Sequence, residues 1–119
     1  MTTPEPRLPD YLDHILEAIQ RIRTYTEDMV ETAFLESTLV QDGVIRNIEV
    51  IGEAAKNVEQ RYPEFSAKHP EVPWALVYAM RNRVAHGYFK IDLEIVWRTI
   101  QNDLPELERQ LVKLRASVS

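Results

Sequence analysis

Cysteine is absent from this 119-residue chain, which excludes disulfide bonds and thiolate metal sites. A chain without cysteine suits a reducing compartment, and we expect a cytoplasmic protein. No apolar run approaches the ~18 residues that a membrane-spanning helix needs. The polar residues 1–6 also lack the apolar core of a secretory signal. We therefore expect one domain over residues 1–119, with a flexible tail over residues 1–9 and no membrane partner.

Positive charge is scarce as well. Lys and Arg number 14 against 19 Asp and Glu, which gives a formal net charge of -5. This balance argues against a protein that coats nucleic acid through a broadly basic surface, but it leaves room for a local basic cleft. No His-x3-His pair or His/Asp cluster has metal-ligand spacing, so we expect neither a metal nor another cofactor.

Strand patterns are missing too, and apolar residues recur instead at helical spacings. The first such run predicts a helix from about Tyr11 to Thr32, capped by Asp10. A second helix follows a polar break and contains Gly43 and Gly52. Because glycine costs up to about 1 kcal/mol against alanine inside a helix, its presence predicts close packing of another helix. The apolar face of this second helix consists of Val40, Val44, Ile48, Ile51, Ala55 and Val58.

Two further helices are predicted in the C-terminal half. One runs from Pro73, which suits a first helical position, to about His86; the other begins after Asp92 as its cap. Pro105 lies within the last helix and is expected to kink or split it. The fold class is therefore all-α, an antiparallel helical bundle of four to five helices. The apolar stripe of the last helix consists of Ile95, Val96, Ile100, Leu104, Leu107, Leu111 and Leu114.

The richest chemistry lies between residues 81 and 88. Arg81 is a permanent cation whose planar fork suits a phosphate, and His86 is the side chain best placed to move a proton near neutrality. Asn82 and Tyr88 add an amide and a phenol. Together they suggest chemistry on a phosphodiester. The alternative is structural, since Arg and His in a last turn complement the helix dipole and Gly87 is an ordinary C-terminal cap.

The pattern Arg-x4-His-x-Tyr, formed here by Arg81, His86 and Tyr88, resembles the HepT-like toxins of the HEPN superfamily. In that superfamily an Asn often follows the Arg, as Asn82 does here. The likeness extends from about residue 11 to 111. The segments that carry it are residues 41–47, 51–56, 73–74 and 91–97.

The resemblance implies a HEPN-like homodimer with two motifs near its two-fold axis. It also implies a metal-independent endoribonuclease, the toxin of a type VII-like toxin–antitoxin system. Arg81 would hold the RNA phosphate and His86 would act as acid or base, with Asn82 and Arg83 in support. A nucleotidyltransferase antitoxin would transfer AMP to Tyr88 and so block the site.

Glu53 is a further candidate, because its small neighbours allow a second helix to approach. It would orient Arg81 or Arg83, or it is simply a surface carboxylate. A rival hypothesis also stands for the whole chain. It would be a non-catalytic helical dimerisation or binding subunit of a nucleotidyltransferase complex. In that case Arg81 and His86 would bind a nucleotide phosphate without cutting RNA.

Overall fold

The fold is a helical bundle, and the computed structural model describes residues 6–85 and 92–118 of it, without the side chains of residues 82–85. Those residues contain no strand, and the all-α fold class is confirmed. The four main rods are α1, α3, α5 and a composite of α6 and α7; α2 and α4 are one-turn segments between them. The bounds are α1 Leu8–Thr26, α2 Glu31–Glu36, α3 Thr38–Arg61, α4 Pro63–Lys68, α5 Trp74–Ala85, α6 Leu93–Arg98 and α7 Leu104–Ser117.

Helix α3 is the centre of the bundle, with α1 on one side and α5 on the other. Gly52 of α3 lies against Arg81 of α5. One turn further along α3, Lys56 lies over the ring of Tyr78. Residue numbers therefore increase along α3 in the direction in which they decrease along α5. The two helices are thus antiparallel, as the sequence predicts.

Helix α7 closes the bundle by packing on α1, again in the antiparallel sense. Arg115 Nε donates to Asp13 Oδ1 at 2.6 Å, and Arg23 pairs with Glu108 at the other end. The hydrogen bond to Asp13 raises the pKa of the Arg115 guanidinium. Such partly exposed pairs contribute little to stability. They fix the register, and the apolar core supplies most of the free energy.

The core follows the apolar stripes read from the sequence. Five of the six residues assigned to the face of α3 are buried, and Val40 is half-buried. The last stripe is buried from Val96 to Leu114, but Ile95 is 48% exposed. Ile95 was expected in the core and instead lies on an open groove. The largest fully buried side chains are Phe34, Leu12, Ile15, Ile22, Ile48, Ile51 and Leu111.

The first helix differs from the prediction at both ends. It begins at Leu8, with Arg7 as N-cap, and the backbone N–H of Arg7 donates to Asp10 Oδ2 at 2.8 Å. The carboxylate of Asp10 therefore caps α1 from within its first turn, whereas the N-cap residue is Arg7. The helix ends at Thr26, where the sequence predicts it to continue to Thr32.

The early end of α1 has a packing reason. The chain turns after Thr26, and α2 then places Phe34 in the core, fully buried against the ring of Trp97 at 5.3 Å between centroids. A straight continuation of α1 would carry this aromatic side chain away from α3 and α6, the helices that α2 packs on. Burying a phenylalanine is worth ~1.5–3 kcal/mol, which favours the turn.

The other helix ends are set by local features of the sequence. Ser37 alone separates α2 from α3, and Pro63 is the first residue of the one-turn α4. Asp92 Oδ1 accepts hydrogen bonds from the backbone N–H groups of Glu94 and Ile95 at 3.0 and 3.3 Å. Asp92 therefore caps α6 as expected. Before Pro105 the last rod widens into a π-helical turn over Thr99–Asp103. Proline removes one helical donor, which accounts for the local rearrangement.

Candidate functional site

Two helices approach closely where Gly52 of α3 meets Arg81 of α5. A methyl group added at Gly52 would come within 1.9 Å of Arg81 Cβ, 2.7 Å of its Cγ and 3.2 Å of its Cα. Glycine is therefore required there by space and not by backbone conformation. The contact explains why α3 tolerates a residue that weakens a helix, and it fixes the backbone from which Arg81 projects.

The stem of Arg81 is consequently packed, while its head reaches the surface beside Glu53. Arg81 Nη2 lies 3.6 Å from Glu53 Oε2, and the two side chains are 28% and 49% exposed. The Nε atom of Arg81 is shielded from solvent. The geometry expected of a carboxylate that orients this arginine is thus present. A simple surface position for Arg81 is excluded, so removing its side chain would disturb the packing as well as the charge.

A second cation lies one helical turn away. Lys56 Nζ is 5.5 Å from the centroid of the Tyr78 ring, a cation–π distance. Lys56 follows Glu53 by three positions on α3, and Tyr78 precedes Arg81 by three positions on α5. This edge of the α3–α5 pair therefore carries two cations and a carboxylate. Lys56 is not among the site residues predicted from the sequence, where only its helical spacing from Glu53 indicates it.

The other four candidate residues follow Arg81 in the sequence, and the structure describes the backbone of two of them only. Asn82 and Arg83 belong to α5, but their side chains are not described. His86 and Tyr88 lie outside the described residues altogether. Since α5 is helical through Ala85, His86 follows directly after the last described turn that carries Arg81. The described part of the site therefore consists of Arg81 and the residues that contact it.

Within residues 6–85 and 92–118, no group of three or more His, Cys, Asp or Glu side chains is arranged to hold a metal ion. In the same ranges no helix combines the length and the hydropathy needed to cross a membrane. What the described edge can do is attract and orient an anion. Arg81 can offer two parallel N–H donors to a phosphate, and Glu53 and Gly52 restrict where that fork lies.

The helical bundle and the packed Arg81 beside Glu53 together define the class of protein. It is an all-α, HEPN-like domain that presents this arginine near the end of α5. The chain belongs to the ribonuclease HepT-like family, whose model matches residues 15–114.

Relatives of known name agree with this assignment. The chain is 40% identical over 106 residues to "Probable ribonuclease HepT" of Thermococcus cleftensis, a match that covers 89% of this chain and 94% of that protein. It is 34% identical over 114 residues to "Putative RNase TTE0752" of Caldanaerobacter subterraneus subsp. tengcongensis, which covers 96% of both chains.

A longer relative matches with one part only. The chain is 41% identical over 104 residues to "Gamma-glutamylcyclotransferase and putative RNase MJ0434" of Methanocaldococcus jannaschii, covering 87% of this chain but 46% of that protein. The chain thus spans about half the length of this relative. No solved structure matches the chain.

Proposed function

We propose that this protein is a metal-independent endoribonuclease, the toxin of a type VII-like toxin–antitoxin system that acts in the cytoplasm. The observation that carries the proposal is the arginine of the family motif, held by close helix packing at Gly52 and facing Glu53. An arginine whose stem is fixed loses less side-chain entropy when it binds a phosphate. Preorganised donors of this kind stabilise charge that develops in a transition state.

Arg81 would bind the scissile phosphate of RNA and offset the charge on its equatorial oxygens. His86 would take the proton of the ribose 2′-OH, so that the 2′ oxygen bonds to phosphorus as the bond to the 5′ oxygen breaks. The departing 5′ oxygen receives a proton from an imidazolium. The products are a 2′,3′-cyclic phosphate and a 5′-hydroxyl end, and no metal takes part.

Asn82 would position the reacting groups by hydrogen bonds, and Arg83 would widen the attraction for the RNA backbone. Glu53 acts through Arg81 as a positioning residue. Lys56, one turn from Glu53, adds positive charge beside the same edge. These local cations matter because the chain as a whole carries a net charge of -5, which would otherwise repel RNA.

The proposed active form is a homodimer whose two-fold axis passes near the motif. Arg81 and His86 are five positions apart, so one regular helix does not direct them to the same point. A second subunit would supply its own His86, and the two imidazoles would divide the roles of base and acid. Light scattering should then give about twice the 13.9 kDa chain mass.

Regulation would fall on Tyr88. A nucleotidyltransferase antitoxin would attach AMP to its phenolic oxygen, which places a nucleotide phosphate beside the motif. Phosphate oxygens so placed can occupy the fork of Arg81 in place of the RNA phosphate. The modified toxin would be inactive while still folded.

The decisive assay incubates purified, unmodified protein with labelled RNA in EDTA and analyses the product ends. Wild type should release 2′,3′-cyclic phosphate ends. Arg81→Lys should lose most cleavage, because lysine keeps the charge and the packed stem but lacks the bidentate fork. His86→Ala should lose it as well. A matched control, Arg21→Lys, alters an exposed arginine of α1, the helix on the other side of α3 from α5, and should cut like wild type.

The second candidate function is the non-catalytic subunit of a nucleotidyltransferase complex. The acidic net charge favours it modestly. It predicts no cyclic phosphate ends from the isolated chain, together with nucleotide binding that Arg81→Lys weakens. Cleavage by wild type that survives EDTA and disappears in both Arg81→Lys and His86→Ala would exclude this candidate.

A further inference from the structure

Helix α5 packs on α3 but stands apart from the α6–α7 rod, and an open groove of about 870 Å³ separates them. Ile48 of α3 lies among the residues that line this groove, and it is itself almost completely buried. Leu76 and Met80 belong to the α5 wall, and Ile95 and Leu107 to the opposite wall. The groove thus has an apolar lining on three sides.

Two of these large apolar side chains are exposed to solvent instead of being buried in the core of the bundle. Leu76 is 72% exposed and Ile95 is 48% exposed, on facing walls of the groove. Removing a large apolar side chain from water is favourable, with a free energy roughly proportional to the apolar area that is buried. Contiguous exposed apolar surface with a polar rim is typical of a protein interaction site. Leu76 and Ile95 are therefore suitable anchors for a bound partner.

The rim of the groove carries charge of one sign. Among the described residues that line it, the ionisable side chains are Glu71, Asp92, Asp103 and Glu106, and all four are carboxylates. Three already have partners: Asp92 caps α6, Glu71 Oε1 lies 3.1 Å from His69 Nδ1, and Glu106 accepts from Arg109 Nε at 2.9 Å. The described residues that line the groove nevertheless include four carboxylates and no Lys or Arg. A second copy docking by this same face would bring carboxylates against carboxylates, which is unfavourable in an isologous interface.

We infer that this groove binds an amphipathic helix of a partner protein, one that carries aliphatic or aromatic side chains on one face and Lys or Arg beside them. The α5 wall extends from Pro73 to Met80, which at 1.5 Å per residue is about 10 Å. Anchors at positions i, i+3 or i+4 and i+7 of a bound helix span the same length. The apolar face would cover Leu76 and Ile95, and the cations would meet the acidic rim.

This inference does not depend on the proposed ribonuclease activity. Arg81 does not line the groove, and its stem faces α3. Binding to the groove and cleavage of RNA can therefore be measured separately, with different variants.

The test uses the full chain and a fluorescein-labelled synthetic helix of about 14 leucine and lysine residues in amphipathic register, with fluorescence polarisation as the readout. A peptide of the same pattern with glutamate in place of lysine is the charge control. The lysine peptide should bind to the wild-type protein, and the glutamate peptide should bind at least tenfold more weakly. Equal binding of both peptides would refute the charge argument.

Substitutions then locate the binding surface. Leu76→Ser combined with Ile95→Ser should weaken peptide binding at least tenfold. Both residues are exposed, so the thermal midpoint should not change. Leu39→Ser is the matched control, because Leu39 is 84% exposed on α3 and does not line the groove. Binding that survives the double substitution, or that falls equally with Leu39→Ser, would mean that the peptide binds elsewhere.

The rim is tested by Asp103→Asn, which should weaken the lysine peptide several-fold, and more at low salt than at high salt. Asp42→Asn alters an exposed carboxylate of α3 outside the groove and should have no effect. A second copy of this chain in the groove would give a different result. If wild type is a dimer by light scattering and the Leu76→Ser and Ile95→Ser double variant is a monomer, the groove is occupied by a second copy and the inference is wrong.

Discussion

The contact between Gly52 and Arg81 gives the sharpest prediction. In Gly52→Ala the new methyl carbon would stand 1.9 Å from Arg81 Cβ, whereas non-bonded carbons prefer ~3.5–4.0 Å. Arg81 Cβ cannot swing aside as the tip of a side chain can, because it is fixed to the backbone. Helix α5 must therefore move away from α3 by roughly the missing distance, about 1.5–2 Å at this point.

The expected cost is the balance of two opposite effects. Overpacking a well-packed contact typically costs ~1–3 kcal/mol, and the severity of this clash favours the upper part of that range. Replacing glycine by alanine inside a helix returns up to ~1 kcal/mol. The free energy of unfolding should thus fall by about 1–3 kcal/mol. For a domain of this size that lowers the thermal midpoint by several degrees, at about 4 °C per kcal/mol.

Gly43→Ala is the matched control on the same helix. Its new methyl carbon would meet the Tyr25 ring at 3.1 and 3.2 Å, so the ring needs to move by only a few tenths of an ångström, and it is 43% exposed. The helix propensity gain should then dominate, leaving stability unchanged or raised by up to ~1 kcal/mol. Thermal melts followed by circular dichroism compare the two variants. If Gly52→Ala melts at or above Gly43→Ala, the close helix crossing does not have the role assigned to it.

A displaced α5 also displaces Arg81. Misplacing a catalytic group by ~1 Å can cost ~100-fold in rate, so folded Gly52→Ala should cut RNA far more slowly than Gly43→Ala. This second readout depends on the proposed activity, and the melting comparison does not. A destabilised Gly52→Ala with full cleavage would leave the packing argument intact and exclude Gly52 as a determinant of the active geometry.

Three further outcomes are expected. Glu53→Gln should fold normally but cut RNA more slowly, because the amide holds the Arg81 fork less firmly than the carboxylate 3.6 Å away; unchanged kcat and KM would make Glu53 a simple surface residue. Asp92→Ala should lower stability by ~1 kcal/mol in urea titrations, the usual cost of losing an N-cap, whereas no loss would mean that water replaces the cap. Tyr88→Phe should remain an active ribonuclease yet gain no AMP when co-expressed with a nucleotidyltransferase, judged by intact mass; an inactive, folded Tyr88→Phe would assign the phenol to catalysis or substrate binding.

Much of the fold could be predicted from the sequence because helices are specified by local patterns. The buried stripe of α3, the cap at Asp92 and the disturbed helix before Pro105 depend on spacing, on one side-chain oxygen and on one missing N–H group. Each of these effects acts within a turn or two of its residue. The family motif could be read in the same way, since Arg81, His86 and Tyr88 lie within one short segment.

Tertiary structure decided what joins distant segments. Periodicity continues the first helix past Thr26, but the burial of Phe34 against Trp97 turns the chain there. Two glycines predict close packing somewhere along α3, yet only the fold shows that Gly52 fits the stem of Arg81. Ile95 continues an apolar stripe and nevertheless remains exposed on a groove. Residues far apart in sequence come into contact only when whole helices pack together. That packing depends on the free energy of the complete core, and a local sequence pattern does not contain this information.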